Sequence, residues 1–392
     1  RSLHQQGITI LMITHIMDEA AQADRVIVLH QGRMAMDGPP ASIFSHAAEL
    51  HELGLDQPDA LKTAQRLGRY FPSFSSLLTP ADLLDALPEY TGPPTPLHRT
   101  HTAPAAADPI IDIQGLSHTY LQGSPQAHTA LDDLSLRVQP GSLHGLIGAT
   151  GSGKSTLLQH INGLLRPQSG TVRTAGFDLN DHDVDLRALR RRAAMAFQQP
   201  EDQIFEQFVG DEIAYGPRML GYSGKLADVV QEAMHSAGLD FKTYRDRLTS
   251  TLSGGEKRRV ALASVLAVQP DILLLDEPLA GLDPQAAADV IQLLNRLHRD
   301  GCTLLLSTHQ YDGLLETLEH VSVLHRGTDV LHGTAGEVFS SVQNLEDAGL
   351  KAPLTARAAS TLRHCGWPIP PHTASLAQLE FALDALEGRG KP

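Results

Sequence analysis

Residues 148–155 read Gly-Ala-Thr-Gly-Ser-Gly-Lys-Ser, and this stretch decides the fold. An apolar, β-rich run at 143–147 precedes it, and a helical run at 156–164 follows it. Glycines let backbone N–H groups turn inward around a phosphate without Cβ clashes, and the beginning of a helix adds its positive end. In this context the pattern predicts a phosphate-binding loop, in which Lys154 bridges the β- and γ-phosphates of a nucleotide and Ser155 ligates Mg²⁺.

A second apolar run, at 272–275, ends in the carboxylates Asp276 and Glu277, which is the Walker B pattern. Open α/β sheets bind their ligands at the carboxyl ends of the strands, so we expect this pair to lie beside the phosphate-binding loop. Asp276 is predicted to hold Mg²⁺ through water, and Glu277 to orient and deprotonate the attacking water. The alternative is a pair that only caps a helix, and the presence of a phosphate-binding loop argues against it.

The rest of the pattern is that of an α/β protein. Short β-rich runs bounded by Gly, Pro or Asp predict strands at 110–113, 134–138, 143–147, 272–275 and 303–307. Helical periodicity dominates from 211 to about 237 and again after 252. This order predicts an α/β core with a mostly helical insertion.

A third motif, LSGGE at 252–256, begins 24 residues before Asp276 and opens a helical run. Ser253 and the N–H groups of Gly254 and Gly255 would present a second anion-binding helix end. Here the chain resembles the ATP-binding-cassette (ABC) ATPases, whose signature is LSGGQ or LSGGE at the start of a helix. In that family the signature caps the γ-phosphate held by a second cassette, so two modules enclose two ATP molecules.

The resemblance implies a P-loop NTPase of ABC type, an α/β fold with a mixed or parallel sheet core, an antiparallel β edge and a helical subdomain at about 198–262. It also implies an ATPase that uses ATP and Mg²⁺. The residues expected to contact ATP are Tyr120, Gly148, Ala149, Thr150, Gly151, Ser152, Gly153, Lys154, Ser155, Thr156, Ser253, Gly254, Gly255 and Asp283. The residues expected to serve hydrolysis are Glu277, His309 and Gln198, and those expected at Mg²⁺ are Ser155, Gln198 and Asp276.

Four of these roles rest on the resemblance alone. Tyr120 resembles the aromatic residue that stacks on adenine, and His309 resembles the switch histidine that contacts the γ-phosphate. Gln198 resembles the glutamine that senses Mg²⁺ and the membrane partner, although its neighbour Gln199 is an alternative. Asp283 ends a loop, AGLD, that signals between cassettes in the family. Without the resemblance, a lone tyrosine or histidine at a strand end is more simply a structural residue.

The sequence contains an internal repeat. Residues 7–15 and 301–309 are identical at five of nine positions, and residues 26–32 and 321–327 at five of seven. Both copies then continue through a glycine and a Phe-Ser pair to a helical pattern rich in Leu and Ala. The repeat also places His15 where the second copy has His309.

The repeat sets the expected domain organisation. We expect residues 1–90 to be the C-terminal part of a first cassette with its tail extension, whose front half is missing from this sequence. Residues 91–109, with five prolines, are predicted to form a linker. Residues 110–335 would form a complete ABC ATPase domain, and 336–392 a C-terminal helical extension. The alternative, a short domain that merely resembles a cassette tail, leaves too many aligned Gly and His positions unexplained.

Residues 196–205, AFQQPEDQIF, resemble a stretch of the ATPases of energy-coupling factor transporters, which import vitamins and cobalt or nickel ions. Residues 211–220 continue this resemblance in the segment expected to receive the membrane protein. The resemblance implies a subunit that powers such an importer from the cytoplasmic face of the cell membrane. Its partners would be an integral-membrane scaffold, a substrate binder and a second cassette, either another copy or the missing first module.

The alternative function is a soluble tandem ABC ATPase of the translation-factor type, acting on ribosomes. Such proteins have long, charged helical linkers, whereas residues 91–109 are nearly uncharged. The net charge of −14 also argues against a nucleic-acid partner, because phosphate backbones favour clustered Lys and Arg. Cys302 and Cys365 give neither a disulfide framework nor a metal cluster, and no apolar run approaches the ~18 residues of a membrane span.

Overall fold

The computed structural model describes residues 2–14, 16–74, 77–92 and 108–387. His15 and most of the linker predicted at 91–109 lie outside the described residues, so both predictions stay untested. Within the described ranges, no helix combines the length and the apolar character that crossing a membrane requires.

Among the described residues before the predicted linker there are six short α-helices, one hairpin and a 3-10 turn at Pro72–Phe74. The helices are α1 (Ser2–Gln5), α2 (Met17–Ala20), α3 (Pro40–Phe44), α4 (Ala47–Glu52), α5 (Asp59–Leu67) and α6 (Pro80–Asp85). The strands are β1 (Val26–His30) and β2 (Arg33–Gly38), which pair antiparallel.

Ten strands and eleven α-helices follow within residues 108–387. The strands are β3 (Ile111–Tyr120), β4 (His128–Val138), β5 (Leu143–Ile147), β6 (Ser169–Thr174), β7 (Phe177–Asp178), β8 (Ala193–Ala196), β9 (Ile272–Asp276), β10 (Thr303–Thr308), β11 (His320–His325) and β12 (Thr328–Thr334). The helices are α7 (Lys154–Ile161), α8 (Leu186–Arg192), α9 (Val209–Met219), α10 (Leu226–Ser236), α11 (Phe241–Tyr244), α12 (Gly254–Leu266), α13 (Pro284–Arg299), α14 (Ala335–Ser340), α15 (Val342–Asp347), α16 (Leu354–His364) and α17 (Leu376–Glu387).

The central sheet has six strands in the order β12-β11-β5-β10-β9-β8. All neighbours are parallel except β11 and β12, which form an antiparallel edge. Every residue of β5, β8, β9 and β10 is buried, as expected for parallel strands covered on both faces. Since these four strands run the same way, the loops that follow them meet at one edge of the sheet.

A second, antiparallel sheet has the order β4-β3-β6-β7. Its apolar face shares a core with helix α7 and with the central sheet: Ile113 and Leu131 pack with Leu157 of α7 and with Leu274 and Leu305. Helix α7 therefore lies between the two sheets, and its first turn is held rigidly beside the carboxyl end of β5.

The helical subdomain packs α9, α10 and α12 around their own apolar cluster, which includes Ile213, Met234 and Val260. The helical periodicity predicted from 211 to about 237 is interrupted, because α9 ends at Met219 and α10 begins at Leu226. Gly221 adopts a φ of +77° between them, a left-handed conformation that ends a helix. The predicted α/β fold class, with its mixed sheet, antiparallel edge and helical subdomain, is confirmed.

The internal repeat recurs in three dimensions. Helices α3, α4 and α5 begin at residues 40, 47 and 59, and α14, α15 and α16 begin 295 residues later, at 335, 342 and 354. The hairpins β1–β2 and β11–β12 keep the same spacing, and each has an irregularity directly after a valine, Val28 or Val323. The two copies thus share elements as well as residues.

The copies differ at the stretch where the sequence identity begins. Residues 303–308 form β10, whereas residues 8–14 form no strand. Strand β10 lies between β5 and β9, and no strand among the described residues pairs with 8–14. Leu11 and Ile13 are consequently 90% and 97% exposed. A similar sequence therefore becomes a strand only where neighbouring strands complete its hydrogen bonds.

The tails of both copies pack into one helical bundle. Leu67, Phe74 and Leu83 share an apolar core with Leu362 and Leu383. The indole N–H of Trp367 donates to the carbonyl of Pro88 at 2.8 Å, and Arg66 and Arg69 form ion pairs with Glu380 and Asp384. The first-copy elements are thereby attached to the described part of the second tail.

Candidate nucleotide-binding site

The phosphate-binding loop requires glycine at both of its ends. A Cβ atom on Gly148 would lie 2.4 Å from the carbonyl oxygen of Leu324 and from the hydroxyl of Ser152. Gly153 has a φ of +104°, and a Cβ there would lie 2.5 Å from the carbonyl oxygen of Ala130. The Ser152 hydroxyl is buried and has no hydrogen-bond partner among the described residues. The loop is thus a tight backbone cradle at the beginning of α7.

Lys154 is buried at the centre of this cradle. Its ammonium donates to the carbonyls of Gly148 and Ala149 at 2.7 and 3.2 Å and lies 3.6 Å from Oε1 of Glu277. Burial lowers the pKa of Lys154, and the carboxylates of Glu277 and Asp276 act in the opposite direction. The structure therefore brings the two predicted motifs, the loop and the acidic pair, into direct contact.

Glu277 connects Lys154 to His309. Its Oε1 lies 2.8 Å from Nδ1 of His309, and its Oε2 accepts the backbone N–H of His309 at 3.3 Å. Glu277 has a φ of +50°, a conformation rare for residues other than glycine and frequent at functional sites. This backbone turn follows β9 immediately and directs the carboxylate across the carboxyl end of β10.

Ser307 is a residue of this site that the sequence analysis missed. Its hydroxyl donates to Oδ1 of Asp276 at 2.5 Å, and the N–H of Glu277 donates to the same hydroxyl at 3.1 Å. One buried serine in β10 thus holds both the carboxylate of Asp276 and the backbone of Glu277. A serine within an otherwise apolar strand was the only sequence signal, and it does not specify the partner.

Two buried carboxylates, Asp276 and Glu277, face one ammonium, Lys154, which leaves an excess of negative charge at this edge. Hydroxyl, carboxylate and amide oxygens are the ligands that Mg²⁺ prefers. Ser155 follows Lys154 in the first turn of α7, and Gln198 lies exposed two residues after β8, at the same sheet edge. The charge and the donor chemistry fit the predicted Mg²⁺ site.

Tyr120 ends β3 and contacts the phosphate-binding helix. Its hydroxyl lies 3.2 Å from the hydroxyl of Thr156, while the residue remains 37% exposed. The ring of His118 meets Tyr120 edge-on at 4.6 Å and His160 at 4.8 Å. Burial lowers the pKa of both histidines, which favours their neutral forms. The sequence analysis missed this histidine pair, because β3 and α7 are brought together only by the fold.

The signature motif forms the N-terminus of α12. Ser253 is the N-cap: its hydroxyl accepts the N–H of Glu256 at 3.3 Å, and the Glu256 carboxylate accepts the N–H of Ser253 at 2.7 Å. Ser253, Gly254 and Gly255 are all exposed. The N–H of Ser253, the hydroxyl of Tyr244 and the guanidinium of nearby Arg247 lower the pKa of Glu256 to about 2. The predicted anion-binding helix end is therefore preformed and faces solvent.

Asp283 has a structural role that the prediction did not include. Its carboxylate accepts the N–H of Ala286 at 2.8 Å and caps α13. This capping fixes the loop at 280–283 between β9 and α13. Its expected contact with a nucleotide or a second cassette stays a prediction.

The sequence matches the ABC transporter family over residues 131–280. It is 43% identical to the energy-coupling factor transporter ATP-binding protein EcfA2 of Symbiobacterium thermophilum, over 284 residues that cover 72% of this chain and 98% of that protein. It is 39% identical to EcfA2 of Clostridium perfringens, over 70% of this chain and 96% of the relative.

Two solved structures resemble this chain. One is cbiO1 from Clostridium perfringens, described as part of the ABC transporter complex cbiONQ, with a TM-score of 0.52 and 29% identity over 62% of this chain and 95% of that one. The other is a dimeric post-hydrolysis state of the ATP-binding cassette MJ0796 bound to ADP and Pi. It has a TM-score of 0.54 and 27% identity over 57% of this chain and 98% of that one.

Proposed function

The chain belongs to the ABC family of ATPases, among the ATP-binding proteins of energy-coupling factor transporters, and we propose that it drives such an importer by ATP-dependent pairing of cassettes. The observation that carries the proposal is the contact of Lys154, Glu277 and His309 at the end of three parallel strands. This constellation joins a phosphate cradle, a carboxylate and a histidine within hydrogen-bonding or ion-pair distance.

In the proposed reaction, the cradle at 148–155 binds the phosphates of ATP, and Lys154 exchanges its carbonyl partners for phosphate oxygens. Ser155, Asp276 and Gln198 would hold Mg²⁺, which neutralises phosphate charge when bound. Glu277 orients and deprotonates the attacking water, and His309 holds the Glu277 carboxylate and contacts the γ-phosphate. The positive end of α7 adds a fixed dipole to the cradle.

The exposed signature supports a site shared between two cassettes. Gly254 and Gly255 present the backbone N–H groups of the first helical turn of α12 to solvent, and Ser253, the exposed N-cap, lies directly before them. Such a turn is suited to a phosphate group held by another cassette. Each closed pair of cassettes would then enclose ATP between one phosphate-binding loop and the partner's signature, with Asp283 near the interface and Tyr120 at the adenine.

In this proposal, the closing of the paired cassettes is transmitted to membrane subunits. Phe205 is 63% exposed and follows the segment at 198–203 in the chain. The Phe205 ring packs edge-on against Tyr215 at 4.6 Å, which holds it at the surface. Aromatic residues are enriched at protein–protein interfaces relative to the rest of a protein surface. We propose that Phe205 contacts an integral-membrane scaffold, which in turn works with a substrate binder, at the cytoplasmic face of the membrane.

The first experiment tests the site. Lys154→Ala should abolish ATP hydrolysis by the full chain, and Lys242→Ala, which removes an exposed lysine of α11, should leave hydrolysis unchanged. Glu277→Gln should retain ATP binding and accumulate as an ATP-dependent dimer in size-exclusion chromatography. Hydrolysis that survives Lys154→Ala, or a Glu277→Gln protein that stays monomeric with saturating Mg-ATP, contradicts the proposal.

A second experiment tests the transporter assignment. The tagged chain, expressed in its source cells and purified in mild detergent, should retain a small integral-membrane substrate binder and a scaffold protein. Recovery in the ribosome fraction without membrane subunits would instead support the translation-factor alternative. The Glu277→Gln variant, purified with ATP, should recover more of the membrane subunits than the wild type does.

A further inference from the structure

The two ends of helix α12 are held to the catalytic core in different ways. Its C-terminal half packs into the core, where Leu262 and Val265 join the cluster of Leu273 and Leu275. Its N-terminal end, which bears the signature, lies beside a cleft of about 500 Å³ between α12 and α13. The signature end is therefore held by hydrogen bonds and ion pairs rather than by continuous apolar packing.

Arg258 makes the most direct of these connections. Its Nη2 donates to the carbonyl of Gln198 at 2.9 Å, and its Nη1 donates to the carbonyl of Ala280. The two carbonyls belong to different loops, one after β8 and one after β9. A planar guanidinium with separate N–H groups can satisfy two such acceptors at once, which a lysine ammonium on a flexible stem does less well.

Both acceptors lead to the site. The N–H of Ala280 donates to the carbonyl of Glu277 at 3.2 Å, so the turn that Arg258 holds is the turn that follows the catalytic carboxylate. Gln198 is the residue proposed for Mg²⁺ and for sensing the membrane partner. Arg258 is thus linked to Glu277 through the backbone of Ala280 and is hydrogen-bonded directly to the backbone carbonyl of Gln198.

Two neighbouring contacts hold the same loop against α12. Lys257 forms an ion pair with Glu201 at 3.0 Å. Gln203 donates from Nε2 to the carbonyl of Ala261 at 2.9 Å and accepts the N–H of Phe197 at 3.3 Å. The residues at 200–203, which distinguish the energy-coupling factor type in the sequence, therefore attach the loop at 198–203 to the signature helix. Arg258 extends this polar attachment to the loop after β9.

We propose that Arg258 is a positioning residue that couples the orientation of the signature helix to Glu277 and Gln198. When the helical subdomain rotates, the guanidinium carries the loops after β8 and β9 with it, so the hydrolytic carboxylate is aligned only in one orientation of α12. The proposal rests on the proposed function of Glu277 and Gln198. It assigns Arg258 no contact with ATP.

The test compares Arg258→Gln and Arg258→Lys with Lys257→Gln in the full chain. Hydrogen bonds from a charged group are strong enough that Arg258→Gln should lower kcat on the order of tenfold, with the KM for ATP within about twofold. Arg258→Lys should recover part of kcat because an ammonium can keep one of the two carbonyls. Lys257→Gln removes one exposed ion pair on the same turn and should change kcat by less than about twofold.

Hydrogen–deuterium exchange supplies a readout that does not depend on activity. In Arg258→Gln, exchange should accelerate in both loops, at 198–204 and at 278–283, with no change in α9 and α10. Accelerated exchange in the helical subdomain as a whole would reveal only a loss of stability and would overturn the proposal, as would an unchanged kcat. If wild-type protein fails to hydrolyse ATP, the proposed function fails, while the exchange pattern still decides whether Arg258 couples the two loops.

Discussion

Glu256, the last residue of the signature motif, is expected to make the stability of this protein sensitive to acid. Its carboxylate accepts three donors: the N–H of Ser253 at 2.7 Å, the hydroxyl of Tyr244 at 2.8 Å and the guanidinium of Arg247 at 2.8 Å. Glu256→Gln keeps the shape of the side chain and an oxygen for Ser253. It removes the charge, and its amide N–H groups cannot accept from Arg247.

The contribution of Glu256 to the unfolding free energy follows from the shift of its pKa. The three donors hold the pKa of Glu256 at about 2, against an ordinary value of 4.5. One pKa unit corresponds to about 1.4 kcal/mol, so the full shift would be worth about 3 kcal/mol. Because the group lies near the surface, with 15% of its side chain exposed, solvent screening reduces the expected contribution to about 2 kcal/mol.

The direction of the pH dependence is fixed by the sign of the shift. A carboxylate with a depressed pKa in the folded state stabilises the fold fully above its unfolded pKa of 4.5. That contribution declines as the pH falls from 4.5 towards about 2, because the folded state must then give up its charged hydrogen bonds. Glu256→Gln has no such group to titrate, so it should be less stable than the wild type at neutral pH and approach it in acid.

Urea unfolding at pH 7.5 and at pH 3.5 measures this difference. At pH 7.5 Glu256→Gln should lose about 2 kcal/mol of unfolding free energy without a change in the m-value, and at pH 3.5 the difference should shrink by roughly half. Glu232→Gln, an exposed carboxylate in α10, is the control and should stay within about 0.5 kcal/mol of the wild type at both values. A difference for Glu256→Gln that is the same at both pH values would refute the reasoning, because it would then not come from the charge.

Three further outcomes follow from the geometry. Gly153→Ala should abolish ATP binding, measured by calorimetry, because its Cβ would overlap a backbone carbonyl. Gly176 also has a positive φ but faces open space, so Gly176→Ala should bind ATP normally and lose only about 1 kcal/mol of stability. Leu362 is fully buried between the two tails, so Leu362→Ala should lose about 3 kcal/mol of unfolding free energy in urea. Leu376 is only partly buried, so Leu376→Ala should lose clearly less, and equal losses would contradict the shared core. Tyr120→Phe should weaken ATP binding by less than about threefold, since it loses one partly buried hydrogen bond, whereas Tyr120→Ala should weaken it at least about tenfold if the ring stacks on adenine.

The parts of the fold with local sequence signals were predictable. Strand β5 occupies the predicted 143–147, whereas α7 begins at Lys154, two residues before the helical run predicted at 156–164, and ends at Ile161. The length of β3 was not predictable. The apolar run at 110–113 predicts a short strand, whereas β3 extends to Tyr120. Irregularities in its pairing with β4 break the alternation, so the period that predicts a strand is lost halfway along.

The residues that align the site were not predictable from local patterns. Ser307 bridges the Asp276 carboxylate and the backbone N–H of Glu277, and Arg258 joins two loops that are far apart in sequence. Neither forms a recognisable motif by itself, because the partners are a side chain and two backbone carbonyls supplied by other elements. The positive φ of Glu277 is likewise set by the junction of β9 with its neighbours and not by the residue type.

A comparison of the two copies of the repeat distinguishes local from tertiary causes of strand formation within one molecule. The hairpins β1–β2 and β11–β12 form in both copies, because each completes its hydrogen bonds from within its own few residues. Residues 8–14 and 303–308 share their pattern, yet only the latter become a strand, since only they lie between two others. The same strand supplies Ser307, which binds the carboxylate of Asp276, and leads to His309, which binds the carboxylate of Glu277. The catalytic arrangement is therefore a property of the completed parallel sheet: the motif in the sequence supplies the residues, and the strand neighbours give them their geometry.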